Sequence, residues 1–207
     1  RFYPASPIGP NGLRSNISSE WGGFGIYTNR RAAEEVYAHP QDHLPFLDQA
    51  REQWHALLLP FAHRGRVNWR GDLRDETSIA AATADPGGPL LVLTSAGYEN
   101  PGPEDFERIG NFNIHVDKVL DFYAQLPGNI RSAVFNGGGV DGIDGLTASL
   151  WQNDAEMMQA AYRPGHHREQ MEYQRTTGHF DRSSFTRTRI LASKVTWDGA
   201  DPVALMS

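Results

Sequence analysis

The stretch PLLVLTSAGYE, residues 89–99, opens the part of the sequence that decides the fold. Its apolar run is short and bounded by Pro, Gly and polar residues, which predicts a buried strand. The next stretch, NFNIHVDKVLDFYAQL (111–126), is predicted to be a helix that ends before Pro127 and Gly128. Its apolar side chains recur at helical spacing at Phe112, Val116, Val119, Leu120 and Tyr123.

The elements that follow predict the order β-α-β-β-α-β. Residues 129–136 and 146–151 are predicted strands, joined by the glycine-rich turn GGGVDGIDG. Residues 154–177 are predicted to be helical in two pieces, broken at Pro164-Gly165, and a long final strand covers 185–197. This is the order of a ferredoxin-like unit, so the sequence predicts an α+β fold.

The first part of the chain repeats a later part. The segment IYTNRRAAEEVYAHPQDH (26–43) aligns with LWQNDAEMMQAAYRPGHH (150–167). In this alignment Asn29 falls on Asn153 and His43 on His167. Farther along, RVNWRG (66–71) aligns with KVTWDG (194–199). Such internal similarity is typical of a duplicated structural unit.

The repeat predicts two ferredoxin-like modules. We expect an N-terminal module over residues 1–71, a polar linker over 72–88 and a C-terminal module over 89–207. The first module lacks its opening strand and helix, which we expect upstream of Arg1. A sheet with helices on one face must bury its other face. The two modules are therefore expected to pack sheet against sheet as an intramolecular dimeric α/β barrel.

Composition narrows the classes of function. The 207 residues carry a formal charge of −6 and no basic run, which argues against nucleic acid as a partner. No stretch reaches the 18 or so apolar residues of a membrane helix. The absence of cysteine excludes disulfides and thiolate chemistry. We expect a cytoplasmic protein that acts on a small molecule, with a homodimer as one expected state.

Histidine is the residue type that most suggests chemistry. His166 and His167 follow the Pro164-Gly165 break and open a second helical segment. His167 and Met171 then share one helix face. No second His stands four residues away, as a two-His metal site on a helix would need. A single axial His is the ligand that haem requires.

Longer stretches resemble a known family. They are FYPASP, IYTNRRAAEEVY, HRGRVNWRG, LDFYAQLPG, LTASLW, DAEMMQAAYRPGHH, GHFDRSSFTRTRIL and WDGADPV. Together they resemble the spheroidene monooxygenase family of carotenoid biosynthesis. The fold of that family is similar to those of chlorite dismutases, dye-decolourising peroxidases and aldoxime dehydratases. The polar segment SFTRTR (184–189) departs from the family pattern and argues against a tunnel for a long polyene.

The resemblance implies a haem-dependent, monooxygenase-like oxidoreductase. It implies haem b as cofactor, with peroxide or an electron donor as co-reactant and a lipophilic or secondary-metabolite substrate. His167 would be the iron ligand, with His166 as the alternative and Met171 beside it. His43 would be the degenerate counterpart of His167 in the first module.

The expected site lies between the C-terminal sheet and its helices. Asn136 and Arg131 are candidate donors to a bound oxygen or substrate, although strand alternation places them on opposite faces unless a bulge intervenes. His115 is a candidate proton-relay group. Arg187 and Arg189 share a strand face and are candidate partners of the haem propionates.

Two other functions fit the same sequence. One is a haem-dependent dehydratase of the aldoxime dehydratase type. The other is a cofactor-free barrel that binds or cyclises a small molecule. In that barrel Trp21, Trp151 and Phe135 would line a pocket, and a histidine would act as acid or base.

Overall fold

The computed structural model describes residues 2–5, 9, 12–13, 18–27, 29–65, 81–139, 142–162 and 180–204, and gives side chains for all of these except 2–4, 137–139 and 142–144. Its strands are β1 (Phe2–Pro4), β2 (Trp21–Gly23), β3 (Trp54–Gly65), β4 (Leu90–Glu99), β5 (Asn129–Gly139), β6 (Gly142–Trp151) and β7 (Arg182–Val195). Its helices are α1 (Arg30–Ala38), α2 (Pro40–His43), α3 (Phe106–Tyr123) and α4 (Asp154–Tyr162). Short 3-10 turns cover Pro45–Gln49 and Pro103–Asp105.

Five strands form one antiparallel sheet in the order β3-β7-β4-β6-β5. The four strands of the C-terminal part, taken alone, have the order last-first-third-second, and α3 and α4 connect them. This arrangement is the ferredoxin-like unit that the sequence predicts, and the fold is α+β. The fifth strand, β3, comes from the N-terminal part and extends the sheet beyond β7.

The elements differ from the predictions mainly at their ends. β5 and β6 continue into the glycine-rich segment that was predicted to be a turn, and pair as far as Gly139 with Gly142. The first helical piece after Asn153 is α4, which ends at Tyr162. The predicted second piece falls within residues 163–179, outside the described residues.

The two copies of the sequence repeat have the same local structure. The offset that aligns Asn29 with Asn153 also aligns α1 with α4, and both helices have nine residues. In each, the aligned asparagine accepts a hydrogen bond from the backbone N–H three residues on, at 2.9 Å and 3.0 Å respectively. This is the geometry of an N-cap. β3 and β7 follow these helices, and the two strands pair with each other.

The N-terminal part otherwise forms a separate pair of strands, β1 and β2. In a ferredoxin-like sheet the first strand lies between the third and the fourth, and no described residue supplies that strand for the first module. β1 contacts β5, and Phe24 packs on the side of the main sheet that α3 and α4 do not cover. The complete barrel and the boundaries of the two modules stay predictions.

The main sheet has two distinct faces. The face toward α3 and α4, called here the helical face, holds a core that includes Leu90, Val92 and Trp151. The opposite face holds a second core around Leu91, Leu93, Leu146, Ala148 and Leu150, together with the partly buried Phe135. Side chains alternate between the faces along each strand, so the pairing register assigns every residue to one face.

No helix in the described part of the chain combines the length and the apolar character that a membrane span requires.

The end of β3 gives a test of its pairing with β7. Gly65 and Gly88 have nearly equal positive φ angles, 92° and 91°. A Cβ at Gly65 would collide with the backbone oxygen of Ser183, whereas a Cβ at Gly88 meets no described atom within 4 Å. Gly88→Ala should therefore lower the free energy of unfolding by about 1 kcal/mol, from backbone strain alone, and Gly65→Ala by about 2–4 kcal/mol. Urea unfolding measures both, and equal losses would contradict the close approach of β3 to β7.

Candidate active site

The helical face is filled at one end. Leu90, Val92 and Trp151 pack there against Met157 of α4 and Tyr123 of α3. Trp151 is 1% exposed, and its ring lies 4.9 Å from that of Tyr123 in an edge-to-face arrangement. Side chains of the core therefore fill the space between the sheet and the helices at this end.

The same face is open farther along the central strand. Thr94 follows Leu90 and Val92 on this face of β4, yet it is exposed, whereas Val92 and Ala96 on either side are buried. The residues beside Thr94 are Thr147 of β6 and Phe185 of β7. An exposed residue in the middle of a central strand means that no side chain among the described residues covers the sheet at that point.

The next set of residues paired across the strands on this face includes a glycine. Across the strands this row reads Asn136, Gly145, Ala96 and Ser183. A Cβ added to Gly145 would meet only the backbone oxygen of Ala96, at 3.9 Å, among the described atoms. The space above this row is therefore open as well. We call the region formed by Thr94, Thr147, Asn136, Gly145 and Ser183 the open bay.

One flank of α3 borders the open bay. Phe112 contacts Tyr98 of β4, with ring centroids 6.4 Å apart, and Val119 packs on the core of the helical face. His115 lies between these two residues on the same flank, three residues after Phe112 and four before Val119. Phe180, where the described chain resumes, stacks edge-on against Phe112 at 5.3 Å. The described border of the open bay is thus partly aromatic, and His115 stands on the helix that contributes to it.

Tyr98 lies at one end of the open bay. It is 3% exposed, and the guanidinium of Arg108 lies 5.1 Å from the centre of its ring. Its hydroxyl is buried and has no hydrogen-bond partner among the described residues. Burial raises the pKa of Tyr98, and Asp181 and Asp105 add to the effect against the opposing charge of Arg108. The hydroxyl is therefore a protonated donor at any ordinary pH.

At the filled end of the face, Arg187 and Arg189 join an ion-pair cluster. Arg189 donates to Asp85 at 2.6 and 2.7 Å, to the backbone oxygen of Gly88 at 2.7 Å, and to Asp154 at the start of α4. Arg187 donates to the same Asp154 at 3.3 Å. Both guanidinium groups lie over the ring of Phe61, at 5.0 and 4.3 Å. The cluster joins β3, β7, α4 and the segment before β4.

The cluster also changes the acidity of its members. The hydrogen bonds from Arg189 lower the pKa of Asp85 to about 2, and the pKa of Arg189 is raised in return. Arg189 is 3% exposed, so its positive charge is removed from water and is stabilised by these carboxylates instead. The two arginines were expected to hold haem propionates. In the structure their partners are carboxylates of this chain, because strand alternation directs both side chains to the start of α4.

The two residues predicted as donors on β5 lie on opposite faces. From Arg131 to Gly139 the pairing with β6 is regular, and the one irregularity lies between Asn129 and Arg131. Asn136 therefore faces the open bay. Arg131 faces the other way and forms an ion pair with Asp198 at 3.4 Å, beyond the end of β7. Asn136 thus lies on the helical face, the side on which α3 with His115 packs, and Arg131 lies on the other face.

The predicted iron ligand is outside the described residues, as are His166 and Met171 beside it. His167 falls in the segment between Tyr162, where α4 ends, and Phe180. Among the described residues, no group of three or more His, Asp or Glu side chains is placed to hold a metal ion. Of the aromatic residues predicted to line a pocket, Phe135 lies on the face away from the helices, Trp151 lies in the core and Trp21 is 56% exposed.

Sequence reasoning missed Thr94, Gly145 and Tyr98. The sequence does contain a signal for Thr94, because this polar residue interrupts the apolar run of β4 on the same face as Leu90 and Val92. Gly145 could not be recognised as part of a sheet face, since the sequence predicts that it lies in a turn rather than in a strand. For Tyr98 no pattern in the sequence shows that its hydroxyl lacks a partner.

A second polar group lies on the face away from the helices. Thr186, which is fully buried, contacts Nδ1 of His63 through its hydroxyl at 2.8 Å. The other ring nitrogen, Nε2, lies 3.1 Å from the backbone oxygen of Gly65. Since a carbonyl oxygen only accepts, Nε2 carries a proton and donates it to Gly65. Both nitrogens are thereby used within the protein.

Comparison with known proteins adds one similar structure. No protein-family model matches the chain, and no curated protein matches it. Among solved structures, the chain is similar to a "Putative monooxygenase" from Fusobacterium nucleatum subsp. nucleatum ATCC 25586. The sequence identity is 10% and the TM-score 0.43, over 84% of this chain and 70% of the other.

The ion-pair cluster predicts a specific dependence of stability on pH. The folded pKa of Asp85 is about 2, below its ordinary value of 3.8. Its contribution to stability is therefore complete above the ordinary value and is lost as the pH falls through the folded value. Asp85→Asn should be less stable than the wild type at pH 7, and this difference should shrink as the pH approaches 2. Urea unfolding across this range measures it, and a difference that stays constant would contradict the assignment.

Proposed function

We propose that this chain is an enzyme that binds a small, largely apolar molecule in the open bay. The observation that carries the proposal is the exposure of Thr94 in the middle of a central strand, next to the open space above Gly145. A domain of this size normally buries the central strand of its sheet under helices. Concave, partly apolar openings with a few polar groups are the usual sites for small ligands.

The composition of the open bay indicates the class of ligand. Phe112 and Phe185 supply aromatic surface, while Asn136, Thr147 and Thr94 supply hydrogen-bonding groups along one side. A flat molecule with an apolar body and one or two oxygen or nitrogen atoms matches this arrangement. Asn136 offers both a donor and an acceptor, which would orient such a molecule on the sheet.

We further propose that the chemistry is that of a haem-dependent oxidoreductase of the monooxygenase type. The described residues stop at Tyr162 and resume at Phe180, which packs on Phe112 beside the open bay. The intervening sequence contains His166 and His167. The open bay supports the proposal because it lies on the helical face of the sheet, the side on which the haem is expected. Arg187 and Arg189 do not support it, because both are paired with carboxylates of this chain.

In this proposal each residue has a limited role. Haem b, when bound, would supply the oxidising chemistry, with peroxide or an electron donor as co-reactant, and His167 would hold its iron. Asn136 would bind and orient the substrate, and His115 would hold or move a proton at its imidazole. Oxygen consumption separates this reaction from the haem-dependent dehydratase, which acts without consuming oxygen.

A cofactor-free reaction is the second candidate. In this candidate Asn136 would orient the bound molecule and the imidazole of His115, on α3, would transfer a proton, since an orienting amide with a titratable group is what proton transfer to a small molecule requires. This candidate uses the same open bay and differs in that side chains of the protein, without haem, carry out the reaction.

Hemin titration distinguishes the two candidates. The haem proposal predicts that the purified full chain binds hemin with a Soret band, and that His167→Ala loses the band while His166→Ala keeps it. Far-UV circular dichroism of both variants checks that they are folded. A wild type that stays colourless with excess hemin would overturn the haem proposal and leave the cofactor-free reaction.

Filling the open bay tests the site itself. Gly145→Ala adds one methyl group to open space and should keep ligand binding, whereas Gly145→Leu places a whole side chain there and should abolish it. A Cβ at Gly145 meets only the backbone oxygen of Ala96 among the described atoms, at 3.9 Å, so Gly145→Ala should unfold within about 1 kcal/mol of the wild type. Far-UV circular dichroism checks that Gly145→Leu is folded. Equal binding of ligand by wild type and Gly145→Leu would contradict this location.

A further inference from the structure

We propose that Arg64 is a binding residue at the border of the open bay and that the ligand bound there carries a carboxylate. The inference rests on the proposed function and names the ligand class more closely, as an organic acid with a flat, apolar body. Arg64 lies near the end of the edge strand β3 and has no part in the proposed reaction.

The first argument is the strand register. Arg64 pairs with Phe185 of β7, and Phe185 pairs with Thr94 of β4, so these three residues form one row on the helical face. Ser183, which belongs to the open bay, lies two residues before Phe185 and is therefore a diagonal neighbour of Arg64 on the same face. Such neighbours are about 7–8 Å apart, within the reach of a long side chain.

The second argument is that the backbone around Arg64 is held in place. The preceding residue, His63, is anchored on the other face, with Nδ1 2.8 Å from the hydroxyl of Thr186 and Nε2 3.1 Å from the backbone oxygen of Gly65. Gly65 approaches β7 so closely that a Cβ there would collide with the backbone oxygen of Ser183. Because side chains alternate along a strand, these contacts direct Arg64 toward the helical face, beside Ser183.

The third argument is that the charge of Arg64 is accessible. Arg64 and Ser183 are both exposed, and so is Thr94 across the sheet. Among the described residues, no carboxylate pairs with Arg64. A ligand that lies over Ser183 and Thr94 can therefore meet the guanidinium without displacing a side chain of the core.

The charges nearby indicate which anion fits. The next two arginines on this face, Arg187 and Arg189, are already paired with Asp154 and Asp85. Arg64 thus adds a single positive charge to the border of the bay. One guanidinium matches the two oxygens and single charge of a carboxylate, whereas a phosphate carries nearly two charges and favours a second cation.

The test compares 2-naphthoate with 2-naphthamide, which share a flat ring system and differ in charge. Affinity for the full chain is measured by NMR titration at neutral pH. The wild type should bind naphthoate about fivefold more tightly, as expected for a charge-assisted pair that stays in contact with water. Arg64→Gln should remove this preference and leave naphthamide binding unchanged. Arg64→Lys should keep most of the preference, because it keeps the charge.

Arg51→Gln is the matched control. It removes the same charge from an exposed arginine just before β3, at the far end of that strand, and should keep the preference for naphthoate. A wild type that binds the two ligands equally would overturn the inference, as would an equal loss of both in Arg64→Gln.

Gly145→Leu separates this inference from the proposed site. If that variant abolishes naphthamide binding, the open bay is supported even where Arg64 makes no contribution. A wild type that binds neither ligand would overturn the inference together with the site.

Discussion

The structure depends on how far the helices cover one face of a five-stranded sheet. A sheet must bury its apolar face, and α4 does this at the end of β4 that holds Leu90 and Val92. The described part of α4 covers nine residues, Asp154–Tyr162. Farther along the same strand face, Thr94 is exposed. The filled core and the open bay therefore lie side by side on one face of the sheet.

The ion-pair cluster around Arg189 fixes where that helix begins. Asp154 is the first residue of α4, and Arg189 and Arg187 of β7 both donate to it. Asp85, from the segment that leads into β4, completes the cluster. Because these contacts set the position of α4 over the sheet, they also set the boundary between the filled end of the face and the open bay. Arg187 and Arg189 therefore hold α4 on the sheet, whereas the residue types suggested a site for an anion.

Much of the fold could be predicted from local patterns. Helical spacing identified α3, apolar runs identified β4 and β6, and the order of the elements gave the ferredoxin-like unit. The repeat between residues 26–43 and 150–167 corresponds to α1 and α4 with their capping asparagines. Pairing of β3 with β7 was not predicted, because it joins strands far apart in the sequence and no local pattern encodes it.

The candidate site was predicted only in part, and the reason is geometric. Strand alternation alone separates Asn136 from Arg131, and the regular register of β5 shows that no bulge reunites them. The ion-pair partners of Arg187 and Arg189 could not be predicted from sequence. Asp154 and Asp85 both lie far from the two arginines along the chain, and Asp85 is more than one hundred residues from Arg189. Thr94 and Gly145 matter because no described side chain covers them, and only a three-dimensional structure shows that.

Threonine-methyl NMR tests the central claim most directly, because the sheet carries threonines on both faces. Thr94 and Thr147 lie in the open bay, whereas Thr186 and Thr188 lie on the opposite face and are buried there. Titration of the methyl-labelled protein with 1-tetralone should shift the signals of Thr94 and Thr147 and leave those of Thr186 and Thr188 in place. Shifts confined to Thr186 and Thr188, or shifts at none of the four, would contradict the location of the site.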